Sequence, residues 1–380
     1  MNNFIFCNPT KLVFGKGQIK ELETLIPKNK NIMLTFGGGS VKQNGVYNQV
    51  ITALKGHTFI EFWGIEPNPK IDTLKKAIDI GKEKNIDFIL SVGGGSCLDG
   101  SKLIAAGIIS DTDAWELVLR GYAENTIDFA SVMTLPATGS EMNRGAVISN
   151  PATKEKYAFY SRYPIFSILD PETTYSLPDY QIACGIADTF VHITEQYMTL
   201  PNQSRIMDRW AEGILQTLIE ITPQIKQNKT NYNLMADFML SATMALNDFI
   251  RMGVVEDWAT HIIGHQITAL HGITHGETLT LIYCGLLKTM RKQKKEKLLQ
   301  YAERIWNIDE KNDEKKIDLA INKTEEFFKS LGLATRLGEK NIDDNTIDEI
   351  ANRFTRKDVK LGEGRNITGE VVKEILENCK

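Results

Sequence analysis

Proline is spread so unevenly along this chain of 380 residues that its two halves cannot share one architecture. Nine of the eleven prolines and 17 of the 29 glycines fall within residues 1–179, while residues 180–380 hold only Pro201 and Pro223. Proline lacks an amide hydrogen and its ring clashes with the preceding helical turn, so a stretch this poor in it is open to helix throughout. In the first half, β-rich runs at Asn31–Phe36, Thr58–Phe62, Asp87–Val92, Ser131–Leu135 and Ile165–Leu169 alternate with amphipathic segments at Ile71–Lys84 and Cys97–Ile109. Strands separated by helix-length segments predict a parallel sheet with crossover helices. Beyond Leu177-Pro178 the segments near 180–199, 204–226, 231–252, 256–270, 278–306 and 314–331 read as helices. The spacing thus predicts an α/β domain over 1–178 and an all-helical domain over 179–380. The basic run Arg291–Lys297 fits a solvated helix face, because Glu296 and the flanking leucines continue an amphipathic pattern.

The tetrapeptide Gly-Gly-Gly-Ser occurs twice, at 37–40 and 93–96, each time directly after an expected strand. Glycine lets backbone N–H groups approach a phosphate, and a following helix adds its positive end. The second copy, Gly93, Gly94, Gly95 and Ser96, is better placed, since Cys97–Lys102 opens a helix. Neither copy satisfies the GxGxxG dinucleotide fingerprint, because Leu98 stands where the last glycine would. The first copy, Gly37, Gly38, Gly39 and Ser40, has Lys42 close behind and no acid. An acid there would accept from an adenosine ribose and repel a 2′-phosphate, so its absence favours NADP(H). A third element, Thr134–Glu141, also follows a strand and offers hydroxyls to phosphate or ribose.

Five of the six histidines lie between 192 and 275. Asp188 and His192 are four apart, as are His261 and His265, so each pair shares one helix face. His271 and His275 follow within the same short stretch, whereas His57 stands alone in the first half. Imidazole and carboxylate without thiolate form a ligand set for Fe(II), Zn(II), Co(II), Ni(II) or Mn(II). Spacing leaves open which of these six candidates bind. The five cysteines include no CxxC pair, so neither a disulfide framework nor a thiolate zinc site is expected. A formal net charge of -4 argues against a nucleic-acid partner. Apolar content of 42% and charged content of 24% fit a globular chain, and no leader pattern or membrane span is expected, which leads to a cytoplasmic assignment.

Taken together, these motifs resemble the iron-containing (group III, metal-dependent) alcohol dehydrogenase family, in its NADPH-dependent aldehyde reductase and butanol dehydrogenase branch. The similarity runs from Leu12–Gly17 through Gly37–Gly45, Gly64–Pro69, Ser91–Lys102, Leu135–Ser149, Leu169–Pro171, Gly185–Tyr197, Arg209–Leu215, Asp257–His261 and Leu298–Arg304 to Leu361–Thr368. The resemblance implies an N-terminal dinucleotide-binding domain, a C-terminal all-α metal-binding domain of the dehydroquinate synthase-like fold, and an active site in the cleft between them. It implies Asp188, His192, His261 and His275 as ligands of one Fe(II) or Zn(II), with His265 and His271 unligated nearby. Pyrophosphate would lie over Gly93–Ser96 and Leu98, with Asp99 near the nicotinamide. Gly37, Gly38, Ser40, Thr134, Thr138, Asn143, Lys156 and Leu177 complete the implied cofactor contacts. Members of the family that use an acid in the first loop carry an aspartate where this chain has Gly38, a departure that agrees with a loop tolerant of the 2′-phosphate. The implied reaction is reversible reduction of short-chain aldehydes to primary alcohols by a homodimer, with His265 or His271 relaying a proton. A metal-dependent cyclase of the dehydroquinate synthase type is the alternative, separated from a reductase by net cofactor consumption.

Overall fold

The computed structural model describes residues 1–380 and contains eight strands. They are β1 (Lys11–Phe14), β2 (Asn31–Phe36), β3 (Thr58–Phe62), β4 (Phe88–Gly94), β5 (Asp128–Leu135), β6 (Gly145–Asn150), β7 (Glu155–Tyr160) and β8 (Phe166–Leu169). The helices of the first half are α1 (Leu22–Leu25), α2 (Ser40–Gln43), α3 (Val46–Ala53), α4 (Ile71–Glu83), α5 (Gly95–Ile108) and α6 (Ala114–Arg120). Those that follow are α7 (Asp179–Tyr197), α8 (Arg205–Gln227), α9 (Tyr232–Ala245), α10 (Ala259–His271), α11 (His275–Thr289), α12 (Lys295–Arg304), α13 (Asp313–Ser330), α14 (Asp344–Arg356) and α15 (Gly369–Glu377). No helix is long and apolar enough to cross a membrane.

The chain divides into two compact units. One comprises Cys7–Pro178 and Gln224–Asn247; the other comprises Met1–Phe6, Asp179–Pro223 and Asp248–Lys380. Pro178 therefore marks one crossing between units, but the division interleaves where contiguous halves were expected. The segment carrying α9 joins the first unit for identifiable reasons. Thr243 donates to Oε1 of buried Glu141 at 2.5 Å, Asn143 Nδ2 donates to the Leu246 carbonyl at 2.9 Å, and Lys229 Nζ donates to that of Leu177 at 2.9 Å.

In the first unit six strands form a parallel sheet in the order β1-β8-β5-β4-β2-β3. Its central strands are buried nearly end to end, as the near-continuous apolar runs of β2 and β4 require when both faces are covered. One apolar core holds Ile89 and Met133 with Leu74 and Ala77 of α4; the other holds Leu90 and Val132 with Val46 and Val50 of α3. β2 leads outward to β3, whereas β4 leads the opposite way to β5. That reversal makes the C-terminal ends of β2 and β4 a topological switch point, where open α/β sheets bind ligands. Both Gly-Gly-Gly-Ser segments lie there.

The antiparallel pair β6–β7 and the edge strand β1 are additions to the five expected strands. In the second unit the stretch expected as one helix over 278–306 is two, α11 and α12. The basic run that leads into α12 is only in part a solvated face: Lys292, Gln293 and Glu296 are exposed, but Lys294 and Lys297 are buried at 1% exposure. Lys294 Nζ donates to Asp257 Oδ2, Glu363 Oε2 and the Met198 carbonyl at 2.7–2.8 Å. Lys297 pairs with Asp208 at 2.9 Å and lies over the Tyr197 ring. Acids within the protein, not solvent, receive these two charges.

Candidate metal centre and nucleotide loops

Helix α7 is buried from Ile182 to Tyr197, so its functional side chains face protein on every side. Asp188 and His192 lie one turn apart, with Asp188 Oδ1 3.7 Å from His192 Nε2. The same oxygen is 3.6 Å from Nε2 of His261, in the first turn of α10, and 3.6 Å from Nε2 of His275, which opens α11. The ligand atoms of Asp188, His261 and His275 all lie within 4.8 Å of one another. α11 reaches α7 because residue 276 is glycine: a β-carbon there would sit 2.3 Å from the Cys184 carbonyl oxygen. α10 is aimed by Trp258, which holds φ 64° before its first turn and sets its ring edge-on to His261 at 5.3 Å. A left-handed aromatic residue is costly and persists only where the surroundings fix it.

These donors fit a divalent ion. Separations of 3.6–3.7 Å exceed hydrogen-bond reach. Two donors about 2.1 Å from one ion, at a tetrahedral angle, lie about 3.4 Å apart. His261 Nε2 is buried and accepts or donates no hydrogen bond. Burial pushes the His261 imidazolium down, but the carboxylates of Glu195 and Asp188 outweigh it and hold its pKa up at about 9. A pocket with this field retains a cation, whether proton or metal.

The other two histidines part ways. His265 is buried, its ring 5.1 Å from that of His275 and 6.4 Å from that of His261. His271 is exposed on the last turn of α10, its Nε2 3.2 Å from Thr346 Oγ1, about 15 Å along the helix from His261. His57 lies in the other unit, bonded to the Ile26 carbonyl at 3.0 Å. Glu195 was missed from the sequence. It follows Asp188 and His192 at the i+7 position, on the same face of α7, and its Oε2 meets His261 Nδ1. The spacing of three chemistry-bearing residues on one face was the available signal.

In the first unit, Gly37–Ser40 leaves β2 and leads into the four-residue α2, while Gly93–Ser96 bridges β4 and α5. Ser96 Oγ accepts from the Asn68 amide at 3.3 Å, and Asn68 Oδ1 accepts from Lys156 Nζ at 2.8 Å. Lys156 is thereby tied to the second loop through Asn68. The Leu98 side chain is buried in the core, leaving only its backbone to face a phosphate. Thr134 is buried near the end of β5, and Thr138 Oγ1 accepts from the Ser140 amide at 3.3 Å. Leu177 is at the edge of burial.

Two members of the set are engaged internally. Asp99 accepts from Ser140 Oγ at 2.7 Å through Oδ1 and from the Val147 amide at 2.9 Å through Oδ2. Burial raises its carboxyl pKa, opposed by Lys102 and these hydrogen bonds. Asn143 Oδ1 accepts from Lys102 Nζ and the Gly145 amide, and its Nδ2 donates to the Thr138 and Leu246 carbonyls. Asp99 and Asn143 thus brace the 138–147 segment against α5. Lys42 Nζ lies 4.0 Å over the Trp63 ring, which stacks on Phe36, the last residue of β2.

Comparison with known proteins agrees with both halves of this arrangement. Residues 9–171 match the family described as iron-containing alcohol dehydrogenase, and residues 182–379 match the C-terminal region of the Fe-containing alcohol dehydrogenase family. The chain is 46% identical to the NADPH-dependent aldehyde reductase YqhD of Escherichia coli K12, over all of both chains. It is 40% identical to the probable NADH-dependent butanol dehydrogenase 1 of Bacillus subtilis, over 99% of each. The crystal structure of E. coli YqhD superposes with a TM-score of 0.98 at 45% identity, covering 100% of this chain and 99% of that one. That of the NADH-dependent butanol dehydrogenase A of Thermotoga maritima gives 0.95 at 34% identity, with the same coverage. With a switch-point sheet, a buried aspartate–histidine cluster and full-length relatives of this kind, the chain belongs to the iron-containing alcohol dehydrogenase family.

Proposed function

We propose that this protein reduces short-chain aldehydes to primary alcohols with NADPH, reversibly, using one Fe(II) or Zn(II) held by Asp188, His192, His261 and His275. The observation that carries the reading is the convergence of three imidazole Nε2 atoms on one carboxylate oxygen at 3.6–3.7 Å. When bound there, a divalent ion supplies Lewis-acid polarisation of a substrate oxygen. When bound at the switch point, NADPH supplies the hydride that the carbonyl carbon receives. Asp188 and the three histidines orient the electrophile; Asp188, His192 and His261 are buried and keep water from their side of it, while half-buried His275 borders the open side. His265, buried beside His275, is the unligated histidine placed to pass a proton to the developing alkoxide from a ring nitrogen; His271 serves only from the exposed end of α10. Asp99 acts by bracing the nucleotide side rather than by giving up a proton. Gly37–Ser40 and Gly93–Ser96 offer backbone amides to phosphates, Leu98 contributes through its own amide, and Thr134, Thr138, Asn143, Lys156 and Leu177 frame the nicotinamide end. Lys42, beside a first loop without an acid, favours the 2′-phosphate. The reading includes a cytoplasmic homodimer.

The test is loss of nicotinamide absorbance with butanal, after chelation and again after adding Fe(II) or Zn(II), with NADPH and NADH run side by side. Metal-restored consumption that strongly favours NADPH is expected. Equal use of both nucleotides would remove the cofactor preference alone, and no consumption with any metal would remove the reductase reading.

A further inference from the structure

We propose that Glu195 is the positioning residue of the metal centre, and that its charge, rather than its packing, sets how tightly the ion is held. The inference rests on the metal reading above and goes beyond the four ligands. Glu195 is buried at 3% exposure on the same face of α7 as Asp188 and His192. Its two oxygens address one residue from both ends. Oε2 accepts the Nδ1–H of His261, which fixes the tautomer that leaves Nε2 bare. Oε1 accepts from the amides of Thr260 and His261, at 2.6 and 3.3 Å, in the first turn of α10. Backbone and ring of His261 are therefore oriented by a single carboxylate. The Asp257 amide, just before α10, donates to the Glu195 main-chain carbonyl at 2.9 Å and holds the helix start against α7.

The charge balance points the same way. No lysine or arginine pairs with Glu195, whose one ion-pair partner is His261. A buried carboxylate without a cation is expensive. The proposed ligands include a single anion, Asp188, so a divalent ion among them keeps one uncompensated positive charge. Glu195 supplies the second buried negative charge that brings the assembly to neutrality. Glutamine at this position matches the shape but offers one acceptor oxygen to three N–H donors, and its NH2 must then face one of them.

The experiment measures Zn(II) affinity by chelator competition, and the visible bands of the Co(II)-loaded protein, for full-length wild type, Glu195→Gln, Glu195→Asp and Asp188→Asn. Glu195→Gln is expected to weaken Zn(II) binding by about 10- to 100-fold and to shift the Co(II) bands. Glu195→Asp keeps the charge at a longer reach and is expected to fall between the two, which also decides the matter if the glutamine variant does not fold. Unchanged affinity and Co(II) bands in both variants overturn the proposal. A lower melting temperature of the metal-free variant with unchanged affinity also overturns it, because the role is then packing. If wild type binds no ion, or Asp188→Asn binds it as well as wild type does, the metal reading itself fails and takes this inference with it.

Discussion

The two Gly-Gly-Gly-Ser loops are identical in sequence and sit on neighbouring parallel strands, yet they need their glycines for opposite reasons. Around the first loop there is space: a β-carbon on Gly38 or Gly39 would meet nothing within 4 Å, and only the φ of +100° at Gly39 asks for glycine. Around the second there is none. A β-carbon on Gly93 would lie 2.9 Å from Cys97 Cβ, one on Gly94 would lie 3.0 Å from Leu135 Cβ, and one on Gly95 would lie 2.3 Å from Thr138 Oγ1. The open loop is a place where chemistry can be changed by adding a side chain. The closed loop joins a buried strand to a buried helix, and its shape is dictated by packing.

Three experiments break or sharpen this contrast. The largest effect is expected from Gly95→Ala, which forces Thr138 aside at the start of α5. We expect a loss of about 1–3 kcal/mol in unfolding free energy and loss of measurable NADPH binding, read by denaturant titration and nucleotide fluorescence. Full binding by this variant would mean that the second loop is as permissive as the first. A smaller effect is expected from Gly38→Asp, where the side chain has room and places a carboxylate where a 2′-phosphate would lie. Affinity for NADPH should fall about tenfold or more, with NADH affinity equal or improved and stability unchanged. A parallel loss for both nucleotides would show that the first loop is crowded after all.

The smallest effect concerns Cys97, which lies beneath the second loop. Burial pushes its thiol up to about 11, against hydrogen bonds from its neighbours that act the other way. A raised pKa keeps the thiol protonated below it, so at pH 8 only about one molecule in a thousand carries the thiolate. Iodoacetamide should therefore label exposed Cys7 and leave Cys97 intact by peptide mass analysis. Labelling of both at similar rates would mean that the closed loop opens readily.

Much of the frame was legible because it depends on local pattern. Five β-rich runs announce the parallel sheet and the two glycine loops that follow its strands, though not the strand order that makes a switch point of them, and i,i+4 spacing places Asp188 with His192 and His261 with His265. What escaped depends on partners distant in sequence. Nothing in Arg291–Lys297 says that Lys294 answers Asp257 and Glu363, so a buried ion knot reads as surface charge. Glu195 is one of many glutamates until α10 brings His261 to it. Asp99 and Asn143 carry the family's cofactor-contact pattern, but the internal hydrogen bonds by which their side chains also brace the 138–147 segment are visible only once the fold brings the partners together. β6 and β7 were missed because neither carries a long apolar run; only two of the six residues in each are buried, one of them Lys156.

The interleaving of the two units has a consequence for synthesis. All eight strands lie before Pro178 and leave the ribosome first, but the hydroxyl of Thr243 and the carbonyl of Leu246 emerge much later. Until then the Glu141 carboxyl is without the hydroxyl that accompanies it in the folded unit, and the Asn143 carboxamide lacks one of its acceptors. The sheet can form early, but the segment that braces its second glycine loop cannot settle until about two-thirds of the chain has been translated. A nascent chain stalled before residue 243 should therefore carry strands in place and a 138–147 segment not yet braced.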